Sequence, residues 1–162
     1  MQNSKLSELQ KSKMLLWSFI CIGIGLVGGL AWVVVLAGYL QLWPVPALEF
    51  SLPETKELWR NAHIGPIMNG MLLIGLTAVS HLLTLSKRQV NILFYTSIIM
   101  VVFNTIGYQL SPFTSQRGLA PVGEGLNQLC YFSFYIAALC AFAVVIIGLI
   151  GSYSSIKSSK PN

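Results

Sequence analysis

His63 stands in the run Trp59-Arg60-Asn61-Ala62-His63-Ile64-Gly65-Pro66-Ile67-Met68-Asn69-Gly70, at the mouth of a long apolar stretch. Imidazole is the commonest metal ligand among side chains and an axial ligand of haem iron. Strongly polar groups are costly in hydrocarbon, so one inside an apolar segment marks a functional site by default. Asn69, Asn104 and Tyr108 are the other polar side chains that stand out in this part of the chain. Asn104 and Tyr108 are spaced i, i+4 and therefore share one helix face. Each residue also has a plainer reading. His63 would cap a helix end in the headgroup layer, the asparagines would make interhelical hydrogen bonds worth about 0.6 kcal/mol each, and Tyr108 would belong to an interfacial belt.

The elements that must position these groups follow from the charges. The chain has 162 residues, 54% hydrophobic and 9% charged; a soluble domain carries about 25% charged residues. Four runs lack Asp, Glu, Lys and Arg: Met14–Leu48, Asn61–Ser86, Gln89–Gln116 and Gly125–Ile156. Each exceeds the roughly 20 residues that cross about 30 Å of hydrocarbon. The pattern predicts an all-α, integral membrane four-helix bundle as a single membrane domain, with helices near 14–41, 64–86, 89–110 and 127–153. The first run follows Lys5, Lys11 and Lys13 as a signal peptide would, but it is too long for one and no polar domain follows it.

Lys5, Lys11, Lys13, Lys87, Arg88, Lys157 and Lys160 fall on one side, and Lys56, Arg60 and Arg117 on the other. The positive-inside bias places both termini in the cytoplasm and the chain in the cytoplasmic (inner) membrane. The net charge of +5 is then a topology signal and not a nucleic-acid footprint. Glu49, Glu54, Glu57 and Glu124 lie on the outer side. Trp43-Pro44-Val45-Pro46 should end the first helix. Tyr39, Trp43, Phe50 and Trp59 suit an outer aromatic belt, and Trp17 and Tyr153 an inner one. Cys21, Cys130 and Cys140 are odd in number and lie within helices, so they read as buried free thiols.

In this layout His63, Asn69, Asn104 and Tyr108 share the outer half of the bilayer. Pro66 suits the first turn of a helix, which puts His63 just before or in the opening turn. His81 lies 18 residues on, about 27 Å along a helix at 1.5 Å per residue, and reads as an interfacial residue. Arg60 and Arg117 belong to the headgroup layer, where a guanidinium can pair with an anionic group such as a haem propionate. Gly23-x-Gly25-x-x-Gly28 imitates a dinucleotide fingerprint, but that motif has meaning only in a βαβ unit. Inside a membrane helix, Gly25-x-x-x-Gly29 reads as a close-packing face.

The segment Trp59…Ala62-His63-x-Gly65-Pro66-x-x-Asn69-Gly70-Met71 resembles the second-helix signature of the styrene oxide isomerase family. Asn104-x-x-Gly107-Tyr108, with Ser111-Pro112 and Arg117-Gly118-Leu119, resembles that family's third-helix end and outer loop. The resemblance covers roughly residues 40–140, with helix one matching only as an apolar span. It implies a small membrane enzyme that binds haem b between the subunits of a homotrimer. The ferric iron acts as a Lewis acid in the Meinwald rearrangement of an aryl epoxide to an aldehyde, with a 1,2-hydride shift. By motif, His63 is implied as the axial ligand and Tyr108, Asn69 and Asn104 as the distal pocket, contributed across a subunit boundary.

Three other readings stay open, the last of them a structural or assembly protein with no cofactor, in which all four polar positions are packing residues. Hydroxylaminobenzene mutase is also a small four-helix membrane protein with a His and an Asn-Gly-Met in helix two. A non-catalytic haem-binding membrane protein, for sensing or electron transfer, is the second.

Overall fold

The computed structural model describes residues 4–49, 51–53 and 55–159. Phe50 of the expected outer belt, and Glu54 and Lys160 of the charge balance, lie outside the described residues. Helix α1 (Glu8–Ala37) opens on a capping box: Gln10 N–H donates to Ser7 Oγ at 3.2 Å, and Ser7 N–H donates to Gln10 Oε1 at 2.9 Å. Helix α3 (Lys87–Leu110) opens the same way on Ser86 and Gln89. Helix α2 spans Lys56–Val79, followed by a 3-10 turn at Ser80–Leu82, and α4 spans Gly125–Ser158. All four helices are long and apolar enough to cross a membrane.

The helix limits differ from the expected ones for local reasons. Helix α1 stops at Ala37, before the prolines, because Gly38 takes a left-handed φ of 82° and its N–H caps the Val34 carbonyl at 2.7 Å. A short antiparallel pair follows, β1 (Tyr39–Leu40) with β2 (Leu48–Glu49), Tyr39 opposite Glu49. Helix α2 begins eight residues earlier than expected. His63 is therefore two turns inside the helix and not at its start, and Pro66 is an interior residue. Trp59 is buried at 4% exposure and is not part of a belt. Its indole donates to the Pro53 carbonyl at 3.0 Å and meets Phe113 edge-on at 5.3 Å. Trp17 packs partly against the core, whereas Tyr39, Trp43 and Tyr153 are exposed as belt residues would be.

Helix α1 packs on α2, α2 on α3, α3 on α4, and α1 also reaches α3. The half of the bundle nearer the chain termini is an apolar plug that includes Met14, Leu73, Leu93, Val101 and Ile147. The N-terminal segment closes it from below. Ser4 N–H donates to the Leu85 carbonyl at 2.8 Å, and Leu6 is buried beside it. Broad apolar faces of α1 and α4, such as Phe19, Val27, Phe142 and Leu149, point outward, as lipid contact requires. The cysteines are free, Cys21 and Cys130 buried and Cys140 half-buried.

Candidate functional site

Pro66 sets the local chemistry of α2. Proline lacks an N–H, so the carbonyl four residues back loses its helical donor. That carbonyl belongs to Ala62, which is fully buried. Leaving a buried acceptor unmatched costs about 1–3 kcal/mol. Gln109 of α3 supplies the missing donor: its Nε2 lies 2.6 Å from the Ala62 oxygen. Helix α1 makes room with Gly28, where a Cβ would stand 2.6 Å from the same oxygen.

One residue further on, His63 turns toward α1. Its Nδ1 lies 2.9 Å from the Gly25 carbonyl. A carbonyl only accepts, so Nδ1 carries a proton, and in the neutral imidazole Nε2 is then the bare nitrogen. No described residue partners Nε2. Gly29 lies under the ring, where a Cβ would come within 2.6 Å of Nδ1, and the Trp32 ring is 6.0 Å from it. Metal-bound histidines are held in this way, with the second ring N–H on a backbone carbonyl. No group of three or more His, Cys, Asp or Glu suited to a metal occurs among the described residues. The Gly25-x-x-x-Gly29 face thus packs closely, as expected, but it is spent on α2 of the same chain.

Tyr108 is on the other flank of α2. Its ring covers Gly65, at a spot where any side chain would collide with it, and meets Phe134 of α4 edge-on at 5.2 Å. Residues 63 and 65 point roughly 200° apart around a helix. Within one chain, His63 and Tyr108 therefore share a depth but not a pocket. Asn69 and Asn104 do meet: Asn104 Nδ2 donates to Asn69 Oδ1 at 3.2 Å. Asn69 is 8% exposed, and its own Nδ2 has no partner among the described residues. Native structures keep few such orphans, and a ligand acceptor is one reason for them.

Tyr108, Leu119 and Phe134 wall two adjoining clefts. One, of about 400 Å³, adds Gly118, Tyr131 and Tyr135 and is almost entirely apolar. The other, of about 250 Å³, adds Leu58, Asn61, Ser111 and Arg117 and is more polar. Arg117 and Gly118 both take left-handed backbone, with φ of 58° and 67°. Fully buried Asn127 clamps that turn. It accepts from Gly118 N–H at 2.9 Å and donates to the Ala120 and Val122 carbonyls at 2.9 and 2.7 Å. Arg117 faces Glu57 at 4.0 Å in an exposed pair. Arg60 is exposed one turn before His63 in α2. His81 is exposed just past the C-terminal end of α2, its Nδ1 on the Ala78 carbonyl.

Gln109, Asn127 and Gly28 are absent from the sequence-level site. Gln109 had a signal, an amide within an apolar run beside Tyr108, but its partner is 47 positions away. A larger groove of about 630 Å³ runs along Lys87, Arg88, Asn91, Ile92, Tyr95 and Thr96. It lies at the inner end, remote from His63, and holds no ligand-type cluster.

The family model described as styrene oxide isomerase matches residues 10–153. The chain is 28% identical over 148 residues to the styrene-oxide isomerase of Pseudomonas fluorescens, covering 90% of this chain and 84% of that protein.

Proposed function

The chain belongs to the styrene oxide isomerase family, and on that premise we propose that it isomerises aryl epoxides to aldehydes in the cytoplasmic membrane, at a haem b site completed by neighbouring copies in a homotrimer. The observation that carries the reading is the 2.9 Å contact of His63 Nδ1 with the Gly25 carbonyl, which in the neutral ring leaves Nε2 free to bind a metal. His63 would hold the haem iron, with exposed Arg60 and Arg117 as candidate partners for its propionates. Haem b, when bound, supplies a ferric Lewis acid for the epoxide oxygen.

The chain's own groups do the rest. Tyr108 donates its hydroxyl to the epoxide oxygen, and the unpartnered Nδ2 of Asn69, braced by Asn104, offers a second donor. Preorganised donors of this kind stabilise charge as it develops on oxygen. The benzylic C–O bond breaks, a hydride moves from the neighbouring carbon, and the oxygen becomes the aldehyde carbonyl. The reaction is an isomerisation, with no net change of oxidation level and no general base. Leu119, Phe134, Tyr131 and Tyr135 form a mostly apolar wall, and lipid or a neighbouring copy covering it would keep out the water that would otherwise trap the cation as a diol.

The location of His63 and Tyr108 on opposite flanks of α2 favours a shared site. One copy would present the imidazole, and a neighbour the phenol. The test is an absorption spectrum of purified protein followed by styrene oxide. A Soret band with aldehyde formation is the expected result. A Soret band without turnover would favour a haem carrier, and no Soret band would end the haem reading.

A further inference from the structure

Ala62 O, Pro66 and Gln109 form a device that the reaction itself does not require. Pro66 strips the Ala62 carbonyl of its helical donor, and Gln109 Nε2 replaces it from α3 at 2.6 Å. The carbonyl can only accept, so the orientation of the Gln109 amide is settled. Gly28 of α1 completes the junction: a Cβ there would lie 3.2 Å from Gln109 Nε2 as well as against the Ala62 oxygen. Three helices thus converge on one atom.

The junction adjoins both halves of the candidate site. Ala62 precedes His63, whose ring lies on Gly25, one turn along α1 from Gly28. Gln109 follows Tyr108, whose ring covers Gly65. Two consecutive α3 residues therefore straddle α2 across 62–66. With the amide gone, the Ala62 carbonyl loses the one side-chain donor that reaches it among the described residues, and a tilt or rotation of α2 there is the expected response. Either movement lifts the imidazole off the Gly25 carbonyl.

We infer that Gln109 is a positioning residue for His63: its side-chain amide takes the carbonyl that Pro66 orphans and so holds the imidazole in one tautomer against α1. The haem reading gives this its use, but the contact stands without it.

The test is a cycle of Gln109→Met and Pro66→Ala in the full-length chain in detergent. Methionine keeps length and bulk but cannot donate. Alanine at 66 returns a backbone N–H to the Ala62 carbonyl. Gln109→Met should lower the melting temperature by about 4 °C in the natural background and by less than half as much beside Pro66→Ala. Equal losses in both backgrounds would reduce Gln109 to packing and overturn the inference. If Gln109→Met alone does not fold, folding of the double variant supports it, and failure of both overturns it.

Nitrogen NMR of the histidine rings in haem-free protein gives the second readout, with His81→Gln leaving one histidine. The Nδ1–H tautomer should dominate by about tenfold, fall toward parity in Gln109→Met and recover in the double variant. A tautomer ratio untouched by Gln109→Met would mean that the residue does not position His63. A chain without a Soret band would defeat the haem reading and leave both readouts in force.

Discussion

Asn104 donates its side-chain amide to Asn69 Oδ1, while the Asn69 Nδ2 beside it is buried without an acceptor among the described residues. The pair is costly to the fold unless a ligand oxygen arrives. Asn69→Leu combined with Asn104→Leu removes the orphan and its brace together. Melting should rise by about 2–6 °C, while turnover of styrene oxide falls on the order of 100-fold. A variant that is both destabilised and fully active would contradict the assignment.

Tyr108→Phe keeps the ring on Gly65 and Phe134 and removes only the hydroxyl. Haem content should be unchanged and aldehyde formation should drop about 100-fold. The comparison to make is rate per haem, wild type against variant, with the iron oxidised and then reduced. Equal rates in all four samples would exclude both the hydroxyl and the ferric charge from the reaction.

Gly29→Ala places a methyl group 2.6 Å from His63 Nδ1, whereas Gly23→Ala meets nothing within 4 Å. The two substitutions lie on one helix and differ by six residues. Haem affinity should fall by about 10–100-fold in the first and hold in the second. Titration of purified protein with haemin distinguishes them.

Glu124 lies just before α4 and accepts from Ser115 N–H at 2.9 Å and Ser115 Oγ at 2.8 Å. These bonds hold its carboxyl below the ordinary value of 4.5. A depressed value in the folded chain stabilises above the unfolded value and is lost as pH falls through the folded one. The outer loop carrying Arg117 and Leu119 should therefore loosen in acid, below about pH 4.5. Protection of the Ser115 amide from hydrogen exchange, taken relative to its intrinsic rate at each pH, should fall there, and Glu124→Gln should make that protection nearly independent of pH.

Much of this architecture was legible in the sequence. Four charge-free runs became four helices, and the Gly25-x-x-x-Gly29 spacing became a packed face. The entry to helix α2 was not legible. Pro66 suits an opening turn, and nothing local says that its lost hydrogen bond is replaced from α3. Trp59 was misplaced for a related reason. An indole near a membrane surface looks like an anchor, and its bond to Pro53 depends on how the preceding loop folds back. The shared depth of His63, Asn69, Asn104 and Tyr108 came from helix lengths alone. Which of them touch depends on helix rotation, which periodicity in so apolar a chain hardly constrains: α2 has polar groups on both flanks.

That rotation has a genetic consequence. With the imidazole and the phenol on opposite flanks of α2, a defect in one need not damage the other. An allele lacking His63 and an allele lacking Tyr108 would each be silent alone. Expressed together, they would assemble mixed rings if the proposed homotrimer forms, and some junctions would then bring an intact imidazole against an intact phenol. Activity would then reappear between two dead genes, and one allele carrying both lesions would rescue neither.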